Sequence, residues 1–132
     1  KEALKSHNLY ESSLQSDAVS TEEAGFDAIQ GMLNDAKTNE AGLPDAIVCA
    51  SDLIAMGVLR ALRQTALKVP DDIAVVAVSA FTTPALTTVQ QNTKLAGELL
   101  VSTLIKAISN EKVEDYLMPA EVIIRHSCGA KT

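Results

Sequence analysis

Residues 44–62 read PDAIVCASDLIAMGVLRAL, and this stretch decides the fold. Pro44 and Asp45 break whatever precedes them, and the run AIVCA at 46–50 is apolar without alternation. A strand with one wet face alternates, so an unbroken apolar run suits a strand covered on both faces of a parallel sheet. Ser51 then supplies a hydroxyl for the free N–H groups that open a helix. Asp52 adds a negative charge at that helix's positive end, and the helix is expected to run to about Gln64.

The same alternation extends in both directions. Downstream, 69–72 (VPDD) is a turn, and IAVVAV at 73–78 is a second buried strand. TTVQQ at 87–91 reads as a third strand, 94–109 as a helix, and EVIIRHS at 121–127 as a last strand. Upstream, 1–8 looks like the end of a helix that begins before the chain does, stopped at Asn8, which tolerates the left-handed conformation. Residues 13–17 read as a short strand. Ser20 and Glu23 have the spacing of a capping box, opening a helix to about Ala36, and 38–44 is a polar loop. Strands alternating with helices predict an α/β fold: a doubly wound, mostly parallel sheet with helices on both faces.

Composition narrows the function. The chain has 132 residues, 47% of them hydrophobic, and a mean hydropathy of +0.13, enough to bury a core within one domain. No run approaches the roughly 18 apolar residues of a membrane helix. The opening KEALKSHNLY has no apolar signal core, so a cytoplasmic, non-membrane protein is expected. Seventeen acids against eleven bases give a net charge of −6, unfavourable for direct contact with nucleic-acid phosphates. Cys49 and Cys128 make no disulfide framework and read as two reduced thiols. Aromatics are 3% of the chain, leaving little to stack on sugars or bases.

Catalysis finds no constellation. There is no P-loop, G-x-G-x-x-G, G-x-S-x-G or H-E-x-x-H, and His7 and His126 lack ligand spacing to any Cys or acid. The expectation is a protein that is not an enzyme and takes no cofactor or metal. Glu22 and Glu23 read as first-turn acids on a helix dipole rather than a catalytic pair. Arg60, Arg63 and Lys68, at the end of the next helix, read as a solvated face. What remains is a crevice, because open α/β sheets bind ligands beyond the carboxyl ends of their strands. Ser20, Ser51 and Gln91 fall there, and their hydroxyls and amide suit a neutral small molecule bearing hydroxyls or amines. Each has a plainer alternative: Ser20 and Ser51 as helix caps only, Gln91 as a surface residue.

Residues 44–62 also resemble the effector domain of the LacI/GalR family of transcription regulators, where a strand ends in an A-N-D-like step before an x-x-A-x-G helix. LKVPDDIAVV (67–76), PALTTVQQ (84–91) and MPAEVIIRHSC (118–128) resemble that family's next signatures in the same order, as STEEAGFDAI (20–29) does its earlier helix. The resemblance covers nearly the whole chain. It implies a periplasmic-binding-protein-like lobe: 1–91 as the C-terminal lobe, 92–110 as a helix crossing to a first lobe outside this sequence, and 111–132 as the return strand and tail. Its six large aliphatics, Leu95, Leu99, Leu100, Leu104, Ile105 and Ile108, would then be covered by that lobe, making this chain part of a longer polypeptide.

By the same resemblance Ser51 takes the place of an effector-binding Asn, and Gln91 that of a cleft-facing Gln. Met56 and Leu59 match positions that pack across a dimer interface, with ordinary core packing as the alternative. The implied function is effector sensing and dimerisation in a repressor that responds to a sugar or nucleoside-like molecule. Such a homodimer would reach operator DNA only through a headpiece outside this chain. The other class sharing the fold is a periplasmic sugar-binding protein of a transporter. The sequence departs from the family in three places. There is no acid between Asp72 and Glu98, where the family has an effector-gripping Asp, and neither Val19 nor Ser20 is aromatic. The missing acid suggests an interruption between Val76 and Ala77. Ala66 stands where a helix-ending Gly is usual, and would be strained if left-handed.

Overall fold

The run AIVCA does form a strand, β1 (Ala46–Cys49), and Ser51 does open the helix that follows it, α3 (Asp52–Arg63). The structure, a computed structural model, describes residues 2–17, 20–38, 42–79 and 85–130. Around the β1–α3 unit the order is α1 (Glu2–Ser6), α2 (Glu22–Thr38), β2 (Ala74–Ser79), β3 (Thr87–Gln91), α4 (Thr93–Ile108) and β4 (Ala120–Ile123). Short 3₁₀ turns occupy Ser12–Leu14 and His126–Cys128. The sheet runs β1-β2-β3-β4, parallel through β3 and antiparallel at β4. It is a mixed open sheet with helices on both sides, the α/β class expected.

Pairing sorts the sheet's side chains by face. Ile47 aligns with Val75, and Cys49 with Ala77 and then Thr88, so these residues share the face on which α3 packs. Ile54, Val58, Ala61 and Leu62 of α3 close over them, with Ile29 and Leu33 of α2 completing the core. The two helices touch through glycines. A Cβ on Gly25 would strike the Ile54 carbonyl, and one on Gly57 the Glu22 carbonyl, so the backbones meet where no side chain fits. Arg60 fastens the same junction. Its guanidinium pairs with Glu22 at 3.2 Å and Glu23 at 3.0 Å, and lies over the Phe26 ring at 4.5 Å. The first-turn acids of α2 and a basic residue of α3 thus meet across the helices, instead of serving only their own dipoles. Arg63 and Lys68 are exposed, as expected.

Several boundaries differ from the sequence reading. Residues 13–17 are not a strand: a 3₁₀ turn ends at Leu14, and no sheet partner follows. β1 is therefore an edge strand, and its outer face is open, with Val48 76% exposed. The cap of α2 is Thr21, whose Oγ1 accepts from the Ala24 N–H at 3.2 Å, because Ser20 turns its hydroxyl elsewhere. The last strand stops at Ile123, short of 127. Arg125 instead exchanges two hydrogen bonds with Thr87, donating from its N–H at 2.9 Å and accepting from the hydroxyl at 3.0 Å.

α3 ends without a left-handed residue. Gln64 is its right-handed C-cap, donating to Ala61 O, and the Thr65 hydroxyl closes on Leu62 O at 2.6 Å. Ala66 is thus unstrained, while Asn8 does take the left-handed conformation, at φ 57°. The segment around Val76 and Ala77, where the interruption was expected, lies inside a strand. β2 runs through both residues, each paired to β1 on one side and β3 on the other. Val19, one of the two positions for an aromatic, lies outside the described residues.

α4 keeps its stripe uncovered. Its Asn92 cap accepts from the Leu95 N–H at 3.0 Å, yet no residue of the helix is buried, and Leu100 and Ile108 are 71% and 73% exposed.

Candidate functional site

Because β1, β2 and β3 are parallel, their carboxyl ends lie along one edge of the sheet. Ser51 sits there, directly past β1, with extended backbone that aims its side chain back at the helix start. Its Oγ accepts from the Ile54 N–H at 3.4 Å, a weak cap at the limit of hydrogen-bond distance. That leaves the hydroxyl available to a second partner, and Ser20 Oγ donates to it at 2.8 Å. Residues 31 positions apart thus place two hydroxyls side by side at the strand end, one half-buried and one exposed. Gln91 ends β3 at the same edge, exposed, immediately before the Asn92 cap. Among the described residues no hydrogen bond ties Gln91 to the serines.

Asp52 is the residue that sequence reasoning undervalued. Read as a dipole partner, it is in fact buried, and among the described residues neither carboxylate oxygen has a hydrogen-bond partner. Its charge reaches Cys49: burial first, and the Asp52 carboxylate second, push that thiol up to about 11. Nothing in the sequence distinguishes this Asp from an ordinary first-turn acid, because its burial depends on how α3 lies over β2.

A second concavity lies on the far side of α3. It is a groove of about 470 Å³ lined by Met56, Leu59, Leu67, Val69 and Leu86 together with His126. Met56 is exposed and Leu59 half-buried, so neither is simple core. The described residues contain no group of three or more His, Cys, Asp or Glu fit to hold a metal.

The chain as a whole is similar to known proteins in sequence and fold. The family model for a periplasmic binding protein-like domain matches residues 1–128. The lactose operon repressor of Rhizobium radiobacter is 39% identical over 90 residues, covering 64% of this chain and 80% of that protein. The chain belongs to the LacI family, in its periplasmic binding protein-like domain. The transcriptional repressor PurR of Glaesserella parasuis is another LacI-family relative, 31% identical over 118 residues, or 80% of this chain and 33% of that protein. In three dimensions the chain is similar to the transcriptional regulator CelR in its cellobiose complex, with a TM-score of 0.80 and 30% identity. That match covers 96% of this chain and 39% of the regulator. The LacI-family chain described here thus spans a minor part of the length of PurR and CelR. Its relatives are transcription regulators rather than enzymes. Among the described residues no helix is long and apolar enough to cross a membrane.

Proposed function

We propose that this chain is the effector-sensing and dimerising part of a LacI-type repressor that responds to a neutral sugar or nucleoside-like molecule. Residues 1–91 and 111–132 form the C-terminal lobe, and 92–110 cross to a first lobe elsewhere in the polypeptide. The effector contacts Ser51, Ser20 and Gln91, and two copies pair through Met56 and Leu59 along the α3 groove. Operator DNA is reached through a headpiece outside this acidic chain. The protein is cytoplasmic, and it signals without catalysis and without a cofactor. An effector that prefers one arrangement of the lobes shifts the population of that arrangement, and with it operator affinity.

The observation that carries this reading is the Ser20–Ser51 hydroxyl pair at the carboxyl edge of a parallel sheet, where such folds bind ligands. The repressors among the relatives, and the cellobiose named for CelR, favour it over a sugar-binding protein of a transporter. The test is effector response in the complete regulator. Ser51→Ala and Gln91→Ala should each weaken it while operator binding persists, and an unchanged response in both variants would place the site elsewhere.

A further inference from the structure

The core face of the sheet meets two polar side chains that have no hydrogen-bond partner among the described residues. Asp52 is 4% exposed with both oxygens unpartnered, and Thr88 is 1% exposed with its hydroxyl unpartnered. A buried polar atom without a hydrogen bond is costly, and a buried charge more so, which is why native proteins keep very few. Two against one face of one sheet call for a common explanation.

Their placement supplies it. Cys49, Ala77 and Thr88 form one row across β1, β2 and β3, all facing α3. The middle residue, Ala77, has the smallest side chain of the three and is fully buried. Asp52 lies in the first turn of α3, which starts at the end of β1 and packs over β2, and its charge is felt at Cys49. Asp52 therefore stands over one end of this row, with Thr88 at the other. The Ser20–Ser51 pair adjoins Asp52 at the sheet edge. An ionised carboxylate can only accept, so what it lacks here is a donor.

We infer that Asp52 and Thr88 are the deep end of the effector site, and that the effector brings a hydrogen-bond donor, a hydroxyl or ammonium group, past Ser51 to the Asp52 carboxylate. This rests on the proposed effector site at Ser51. The Ser20–Ser51 hydrogen bond closes the approach when the site is empty, and a side-chain rotation of Ser20 opens it. The unsatisfied state of Asp52 without ligand favours the liganded arrangement.

The test uses the complete regulator with Asp52→Asn, Thr88→Val and Ser51→Ala, and cellobiose, glucosamine and adenosine as donor-bearing probes. Melting temperature is read without probe, and affinity is measured by calorimetry. Without probe, Asp52→Asn and Thr88→Val should melt no lower than the unmodified protein, because the first removes an unsatisfied buried charge and the second an unsatisfied buried hydroxyl, each at similar shape. At least one probe should bind the unmodified protein, with glucosamine against cellobiose separating ammonium from hydroxyl. Its affinity should fall roughly ten- to a hundredfold in Asp52→Asn, the loss expected of a hydrogen bond to a charged group. A lower melting temperature for Asp52→Asn without probe overturns the inference, since Asp52 would then be a structural residue. Unchanged affinity in Asp52→Asn with weakened affinity in Ser51→Ala overturns it while leaving the edge site standing. No binding of any probe, or unchanged affinity in all three variants, overturns both.

Discussion

The Ser127 hydroxyl donates to the Val75 carbonyl at 2.6 Å, joining residues 52 positions apart. The same oxygen accepts from the Thr87 N–H at 2.8 Å, so one buried side chain bridges β2 to the start of β3. Arg125 extends the clamp by donating from Nη1 to the Leu86 carbonyl. The R-H-S ending, which resembles a family signature, is a tail lock for the sheet. Ser127→Ala would leave the Thr87 N–H buried without an acceptor, at a cost of about 1–3 kcal/mol. Urea unfolding should show the midpoint falling with an unchanged slope. A change below about 0.5 kcal/mol, the ordinary range for surface substitutions, would show that the clamp is dispensable.

Two alanines should respond to glycine in opposite directions. Ala66 follows α3 in an ordinary conformation, whereas Ala85 is left-handed at φ 69°. Glycine at 66 only widens the unfolded ensemble, so Ala66→Gly should lower stability by roughly 0.4–1 kcal/mol. Ala85→Gly removes a Cβ penalty of about 1 kcal/mol and should raise stability. Thermal melts of the two variants check the pair, and a rise for Ala66→Gly would mean that the end of α3 is misplaced.

The thiols should separate by pH and by access. Burial and the Asp52 charge keep Cys49 protonated until about pH 11. Cys128 is moved below its ordinary value by its hydrogen bond with Thr87, and then by the Ala130 backbone. The thiolate is the reactive form, so iodoacetamide at pH 8 should label Cys128 and spare Cys49 in the folded protein. Mass mapping of the labelled peptides reads the outcome, and equal labelling of both sites would contradict it.

The α4 stripe should make the 132-residue chain associate when it is alone. Covering a Leu or Ile is worth roughly 1.5–3 kcal/mol, and Leu100, Leu104, Ile105 and Ile108 are all exposed. Exposed apolar patches of this kind mark interaction surfaces. Sedimentation velocity should show concentration-dependent species above 14.0 kDa, and 1-anilinonaphthalene-8-sulfonate should fluoresce on binding. A folded monomer at high concentration without dye binding would count against an uncovered α4.

How far the sequence carried the reading depended on the range of the interaction involved. TTVQQ forms a strand over 87–91 as read, because Thr87, Thr88 and Val89 are β-branched and Asn92 opens the next helix directly after Gln91. Ser51 as a cap, and Asn8 as a left-handed stop, were legible for the same reason: each needs only its own neighbours. The errors came where a distant residue outbid a local one. Ser20 had the capping-box spacing, but its hydroxyl went to Ser51, and Thr21 took the cap. The strand read to 127 stopped at Ile123, because Thr87 claims both backbone groups of Arg125.

By itself, then, the sequence determined the alternation of strands and helices, the absence of familiar catalytic motifs, and the sheet edge on which Ser51 and Gln91 lie. Periodicity, breakers and caps act within a few residues, so they can be read along the chain. Only the tertiary structure decided that Ser20 meets Ser51, that Arg60 holds α2 to α3, and that Asp52 and Thr88 are buried without partners. Each of those facts depends on which elements lie side by side and on how closely their backbones approach at Gly25 and Gly57. Burial and partnership are properties of the packed arrangement, and no local pattern encodes them.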